Sequence, residues 1–246
     1  MMPERNIRIL LAFDGTAYCG WQQQKHQPTI QGTVSEAISR ITGETIRLTG
    51  SGRTDAGTHA RGLVANFLTR SRIGPGRLVP ALNSVLPRDI RVLAARRAPI
   101  AFHARRDARA KIYRYQTYLG PILPPHIRRE FFHFPFPVDA TAMEEAARRF
   151  VGEHDFASFA KTPHPPNTVR RIDRCNLKQE GRRMLLTVEG NGFLHHMVRT
   201  MAGTLLEIGR GSMSMPQFEG LFTGRDRTLG GFTAPACGLI LLKVKY

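Results

Sequence analysis

Apolar residues at the start of the chain recur with two different periods, and the change of period predicts separate elements. Every second residue of the range Ile7–Phe13 is apolar, which is typical of a strand with one buried face. Across Ile30–Ile41 the apolar positions follow helical spacing. Thr33 and Glu36 have the spacing of a capping box, and Gly43 is placed to end this helix.

The remainder of the first hundred residues continues the same alternation. We predict a short strand around Ile46 and Leu48, a strand at Leu63–Leu68, a helix at Arg77–Leu86 and a strand at Ile90–Ala95. The resulting order, βαββαβ, is that of a ferredoxin-like unit.

The second half repeats this order more loosely. Its predicted elements are strand Ile112–Tyr118, helix Thr141–Phe150, a hairpin of Val169–Leu177 and Met184–Val188 turning near Gly181, a helix with one apolar face from Leu194 to Ile208, a short helix at Phe218–Phe222 and a final strand at Leu239–Val244. Pro-rich connections lie at Gly120–Pro137 and Thr162–Pro166. We therefore expect an α+β fold of two ferredoxin-like halves, residues 1–106 and 107–246, with mainly antiparallel sheets side by side and a basic cleft between them.

Composition excludes several classes of protein. Of 246 residues, 41% are hydrophobic and 22% are charged, which rules out a fully disordered chain, a collagen-like repeat and a disulfide-stapled miniprotein. The three cysteines are far apart in sequence, and their odd number cannot form a closed set of disulfides. The N-terminus does not resemble a signal peptide, and no apolar stretch approaches the length of a membrane span. We expect a cytoplasmic protein with no membrane segment.

The net charge of +17 is concentrated in two windows. Residues 61–114 hold thirteen basic residues and two acids, and residues 161–183 hold seven basic residues and two acids. Solvated strand edges would account for one such window, but two favour a polyanionic partner. Thirty of the 36 basic residues are Arg, whose planar group binds phosphate through two hydrogen bonds. With no helix-turn-helix, zinc-finger or basic-zipper pattern, we expect RNA rather than duplex DNA as the partner.

The Gly-rich segment Ser51–Ala60 between two predicted strands contains a candidate reactive group. Asp55 is its single acid, and one carboxylate held in a loop can act as a nucleophile. Arg53 would keep Asp55 ionised if water were excluded. The alternative is ordinary turn chemistry, in which Asp-x-Gly serves only the backbone.

Two further segments present side chains suited to a nucleic-acid base. Tyr113 and Tyr115 share one face of a predicted strand while Arg114 points away, so an aromatic ring could stack on an unpaired base. Core packing is the alternative. Arg199 lies off the apolar face of its predicted helix and could point into the cleft, or into solvent.

Metal and cofactor signals are weak. His195 and His196 are adjacent, so on a helix they would leave in different directions, and we predict no metal site. There is no P-loop, no dinucleotide-binding glycine fingerprint and no nucleophile elbow. We therefore expect no cofactor.

A series of short blocks, in order along almost the whole chain, carries a family resemblance. The blocks are Phe13–Gln24, Gly52–Ala60, Phe102–Arg105, Tyr113–Tyr115, Gly152–Phe159, Asn191–Arg199 and Ala234–Leu239. Together they resemble the tRNA pseudouridine synthase A family. Two departures are visible: Phe13 stands where the family usually has tyrosine, and Thr58 where it usually has valine.

The resemblance implies a specific activity and site. Asp55 would be the catalytic aspartate and Tyr113 the tyrosine that contacts the target base, with Arg53 and Arg199 lining the pocket and pairing with the aspartate. The protein would act as a homodimer, without cofactor, on uridines 38, 39 and 40 of the tRNA anticodon arm. Whether the aspartate attacks C1′ or C6, or assists elimination at the sugar, stays open.

Three alternatives remain open from sequence. A non-catalytic RNA-binding module would keep the basic cleft but tolerate loss of Asp55. A sister pseudouridine synthase would modify other positions of tRNA. A small-molecule enzyme of ferredoxin-like fold would bind tRNA without the salt dependence that phosphate contacts cause.

Overall fold

The computed structural model describes residues 3–162 and 165–246, so the centre of the predicted connection Thr162–Pro166 lies outside the described residues. The protein is a mixed α+β structure whose strands pair mostly antiparallel. Its chain divides into two compact units, residues 1–109 with 241–246 (unit 1) and residues 110–240 (unit 2). Within the described ranges, no helix combines the length and apolar character needed to cross a membrane.

Unit 1 contains the first six elements of the chain. They are β1 (Arg5–Phe13), α1 (Ile30–Thr42), β2 (Thr49–Gly50), β3 (His59–Thr69), α2 (Pro75–Val85) and β4 (Ile90–Ala98). Strand β1 pairs antiparallel with both β3 and β4, and β2 pairs antiparallel with β3. The short predicted strand therefore lies at β2, just after Ile46 and Leu48. The final strand of the chain, β10 (Leu239–Lys245), ends in unit 1, where Leu242 lies against Gly62 of β3.

The predicted alternation of β1 matches its burial. Ile7, Ile9 and Leu11 are at most 1% exposed, whereas Arg8 and Leu10 between them are half-buried. Because successive side chains of a strand point to opposite faces, a period of two places all three apolar residues on one covered face.

The start of α1 differs from the prediction, and its end agrees with it. The N-cap is Thr29, whose Oγ1 accepts from the Gly32 N–H at 3.3 Å. Thr33 lies inside the helix, where its hydroxyl donates to the Thr29 carbonyl at 3.0 Å, so the capping box predicted at Thr33 is wrong. A threonine inside a helix can bond to the carbonyl of the preceding turn and still lie three residues before a glutamate. The spacing of Thr33 and Glu36 therefore does not distinguish it from a capping threonine. Gly43 ends the helix at φ +73°, as predicted.

Unit 2 contains the next eight strands and α-helices of the chain. They are β5 (Ala110–Tyr118), β6 (Phe132–His133), α3 (Ala140–Arg149), β7 (Gly152–Asp155), β8 (Val169–Glu180), β9 (Arg183–Gly190), α4 (Met197–Gly209) and α5 (Met215–Gly224). Strands β5, β9, β8 and β7 are neighbours in that order, all antiparallel, and β6 pairs parallel with β5. The β8–β9 hairpin turns at Gly181 (φ +59°), as predicted. The short strands β6 and β7 were not predicted.

A cluster of phenylalanine rings forms part of the core of unit 2. Its members, with ring centroids 5.2–6.3 Å apart, are Phe150, Phe156, Phe159, Phe218 and Phe222. The first four are fully buried. The sequence block Gly152–Phe159 therefore contributes to packing: it supplies two of these rings.

Helix α4 differs from its prediction in two ways. It begins at Met197, after a residue (His196) with φ +66°, and every residue of the range 200–206 is buried, so more than one face is covered. The segment 230–235, which we call the strap, covers part of the remaining surface: the Gly231 N–H donates to Thr204 Oγ1 at 3.2 Å. This contact joins residues 27 apart in sequence, so helical periodicity could not predict it.

Candidate active site

Asp55 lies in the loop between β2 and β3, at the first position of a tight turn. The Thr58 N–H donates to the Asp55 carbonyl at 3.1 Å, and Gly57, the third residue, has φ +78°. A turn of this kind requires a positive φ at its third position, which explains the glycine. The Asp55 side chain is half-buried and that of Arg53 is exposed. The turn therefore explains Gly57. Its hydrogen bond uses the backbone carbonyl of Asp55 and not the carboxylate.

The segment 15–21, which follows β1, fixes the backbone of the Asp55 loop. The Trp21 N–H donates to the Thr54 carbonyl at 3.1 Å, and the Gly57 N–H donates to the Tyr18 carbonyl at 3.2 Å. Gly20, at φ +86°, lies so close that a Cβ atom there would be 2.5 Å from the Thr54 carbonyl oxygen. We call this segment the loop clamp. Two blocks that are separate in sequence therefore form one structure around Asp55.

Two aromatic residues of the loop clamp are themselves held firmly. The Trp21 indole is 2% exposed and packs on Gly50, where a Cβ atom would lie 2.5 Å from the ring. The Tyr18 hydroxyl donates to Asp89 Oδ1 at 2.8 Å, and burial followed by this hydrogen bond raises the pKa of Tyr18. These contacts make the loop clamp a rigid support for the loop that carries Asp55.

In unit 2, Tyr113 occupies β5 opposite Val188 of β9 and is 7% exposed. The Tyr113 ring makes an edge-to-face contact with the Phe193 ring, with centroids 5.1 Å apart and planes at 82°. Tyr115 is also buried, while Arg114, between the two, donates from Nε to Thr187 Oγ1 at 3.2 Å. The two tyrosines therefore share a covered face, as the strand period predicts.

Arg199 is in the first turn of α4 and is bonded to the strap. Its Nε donates to the Ala234 carbonyl at 2.7 Å, and the Ala234 N–H donates to the Arg199 carbonyl at 3.2 Å. The Tyr115 hydroxyl donates to the adjacent Pro235 carbonyl at 2.7 Å. Arg199 is thus not a solvated side chain on an open helix face; the strap orients its guanidinium group.

His195 and His196 differ from their prediction. Both precede α4, and their ring centroids are 4.1 Å apart. The expectation that they leave a helix in different directions is wrong because the positive φ of His196 turns the chain before the helix begins.

Burial raises the pKa of Tyr115, with the Cys237 thiol adding to the effect and Arg199 opposing it. A phenol whose pKa in the folded protein exceeds its value near 10 in the unfolded chain contributes its full stabilisation below about pH 10. That contribution is lost as the pH rises further. We expect the free energy of unfolding to fall above pH 10, and to fall less steeply in Tyr115→Phe. Urea unfolding at a series of pH values measures both slopes. Equal slopes would mean that Tyr115 ionises in the folded protein.

The four predicted site residues are thus divided between the units. Arg53 and Asp55 share the loop of unit 1, and Tyr113 and Arg199 belong to unit 2. Sequence reasoning missed the loop clamp and the strap as supports. The dense run of glycine and aromatic residues in the block Phe13–Gln24 was the available signal for the first, and the Ala-Pro pair at residues 234 and 235 for the second.

Comparison with known proteins extends over both units. A family model described as tRNA pseudouridine synthase matches residues 9–107 and 146–246. The tRNA pseudouridine synthase A of Caldicellulosiruptor bescii is 42% identical over 243 residues, which cover 98% of this chain and 100% of that protein. The proteins of the same name from Pelobacter propionicus (43% identical, 98% and 100% covered) and Citrifermentans bemidjiense (45% identical, 98% of each covered) are similarly related. The chain belongs to the tRNA pseudouridine synthase family.

Proposed function

We propose that this tRNA pseudouridine synthase isomerises uridines 38, 39 and 40 in the anticodon arm of tRNA, with Asp55 as the reacting group. The observation that carries this proposal is how firmly the Asp55 loop is held. Two backbone hydrogen bonds and the close approach of Gly20 fix the residues on either side of Asp55. Catalysis requires a reacting group held to a fraction of an ångström, and rigid backbone contacts supply that.

The reaction needs few chemical groups. The N1–C1′ bond of uridine breaks, a C5–C1′ bond forms, the C5 proton is released and N1 gains a proton. The oxidation state does not change, so a carboxylate and a pocket for the detached base suffice. Extracting the base from a stem costs a few kcal/mol, which stacking and phosphate contacts offset. Asp55 serves as the nucleophile or the base in this scheme.

The other three residues assist Asp55 and the base. Tyr113 would stack on the extracted uracil and offer its hydroxyl for proton transfer. Arg53 and Arg199 would pair with the carboxylate once RNA excludes water. The bonds that orient Arg199 on the strap support this role, because a fixed guanidinium group loses less entropy on pairing.

Replacing Tyr113 with phenylalanine separates its hydroxyl from its ring. We expect Tyr113→Phe to lower kcat by about 10²-fold or more, the range typical of a lost general acid or base, while KM for tRNA stays close to that of the wild type. Steady-state kinetics on C5-tritiated tRNA measures both. Tyr113→Leu, which also removes the stacking ring, is the comparison. Unchanged kcat in Tyr113→Phe would limit Tyr113 to stacking.

We also propose the architecture and assembly that the family resemblance implies. Residues 1–106 and 107–246 would be ferredoxin-like halves around a basic cleft, and the strand order β4-β1-β3 with β2 beside β3 is compatible with such a half. The protein would act as a cytoplasmic homodimer. Light scattering that gives the mass of one chain at assay concentration would contradict the dimer.

Two measurements test the proposed function. Release of tritium from C5-labelled uridine in tRNA detects isomerisation, because the C5–C1′ bond replaces C5–H. Mapping of pseudouridine in bulk tRNA then identifies the positions. Release with label confined to positions 38–40 supports the proposal, whereas modification confined to the T-arm would identify a sister synthase with another site preference.

A further inference from the structure

The loop 99–109 of unit 1 follows β4, and two buried asparagines of the sheet hydrogen-bond to its backbone. Asn6 on β1 is 2% exposed and Asn66 on β3 is 7% exposed. The Asn6 amide nitrogen lies 2.8–3.3 Å from three carbonyl oxygens of this loop, those of Pro99, Ile100 and Phe102. Buried amides cost free energy unless they are hydrogen-bonded, so this loop is where Asn6 is satisfied.

Asn66 completes the same network. Its amide nitrogen donates to Asn6 Oδ1 at 3.0 Å and to the Phe102 carbonyl at 3.2 Å, and its Oδ1 accepts from the Ala104 N–H at 2.8 Å. The side-chain amides of both asparagines are therefore used on each other and on the loop. A fully satisfied buried network of this kind rigidifies the backbone it holds.

The outer part of this rigid loop carries cations. Arg105 and Arg106 are exposed, and their backbone N–H groups donate to Nδ1 of His103 at 3.2 and 3.3 Å. These two bonds to one acceptor give the turn a defined shape. The local acid, Asp107, accepts from the His103 N–H at 3.0 Å.

Two more arginines lie beside the loop on the sheet. Arg8 of β1 pairs directly opposite Arg96 of β4 and opposite Asn66 of β3, so all three side chains belong to one face. The Arg8 guanidinium carbon is 5.8 Å from the centre of the Phe102 ring. Like charges directly opposite each other in a sheet are destabilising. We call Arg8, Arg96, Arg105 and Arg106 the loop patch; within residues 3–162 and 165–246 no carboxylate forms a salt bridge with any of them.

We propose that the loop patch binds consecutive phosphates of the tRNA backbone. Four guanidinium groups without acidic partners are suited to a repeating anion, and the fixed loop lowers the entropy lost when RNA binds. The loop patch also gives the block Phe102–Arg105 a role that the chemistry at Asp55 does not. This inference rests on the proposed function, since tRNA is the polyanion.

The salt dependence of tRNA binding tests the loop patch. Each phosphate contact contributes about 0.7–0.9 to the slope of log Kd against log salt concentration. The double variant R105Q/R106Q should lower that slope by about 1.5 and weaken binding about tenfold at low salt. The matched control is R40Q/R47Q, which removes two exposed arginines of unit 1 outside the loop and changes net charge equally. We expect its slope to stay close to that of the wild type.

Steady-state kinetics separates this inference from the proposed function. In R105Q/R106Q, KM for tRNA should rise by the same factor as Kd while kcat at saturating tRNA is retained. Equal slopes for the two double variants would overturn the loop patch and leave the activity of Asp55 untouched. Absence of tritium release from the wild type would overturn the proposed function instead.

Discussion

Replacing Asp55 with asparagine should abolish turnover while leaving tRNA affinity nearly unchanged. Asparagine has almost the same shape but is neutral, so it cannot act as nucleophile or base. The turn bond at this position is made by the Asp55 backbone carbonyl, which the substitution leaves in place. We expect kcat to fall by roughly four orders of magnitude or more, the scale of losing a group that reacts. Tritium release and filter binding measure the two quantities.

Asp173→Asn is the matched control for this variant. Asp173, on β8, is exposed and paired with Arg171 at 2.9 Å, so its loss also raises the net charge by one. An exposed pair contributes little to stability, and we expect wild-type kcat. A large loss of tRNA binding with residual turnover in Asp55→Asn would mean that Asp55 shapes the loop rather than reacts.

Features set by neighbours in sequence were the ones that sequence could predict. The alternation of β1, the end of α1 at Gly43 and the turn of the β8–β9 hairpin at Gly181 each depend on a few adjacent residues. The strands β6 and β7 contain two and four residues, too few for a period to be recognised. They form because a longer strand is available beside each of them.

The candidate site shows the same division. A lone acid in a Gly-rich loop is visible in sequence, and so is an arginine that lies off the apolar face of a predicted helix. What orients them is not visible: Trp21 reaches the Thr54 carbonyl across 33 residues, and Arg199 reaches the Ala234 carbonyl across 35. Backbone carbonyls leave no mark in composition or periodicity. Only the family resemblance predicts that these distant blocks belong to one site.

Substituting Gly20 by alanine should damage catalysis although Gly20 itself carries no reacting group. At φ +86° an alanine is strained by about 1–2 kcal/mol, and its Cβ would lie 2.5 Å from the Thr54 carbonyl oxygen. Either the loop clamp or the Asp55 loop must move. A displacement of about 1 Å at a reacting group costs about 10²-fold in rate, and we expect a loss of kcat of that size.

Gly43→Ala separates displacement of the loop from backbone strain. Gly43 also has a positive φ, +73°, but no atom lies within 4 Å of where its Cβ would be. Both variants should lose stability through the positive φ, and Gly20→Ala should lose more because of its contact with the Thr54 carbonyl, which thermal unfolding measures. Only Gly20→Ala should lose kcat in the tritium assay below its melting temperature. If Gly20→Ala kept wild-type kcat despite its loss of stability, the loop clamp would not be what positions Asp55. A selective loss in Gly20→Ala would show that the segment after β1 acts on the chemistry through the backbone of Thr54 and Asp55.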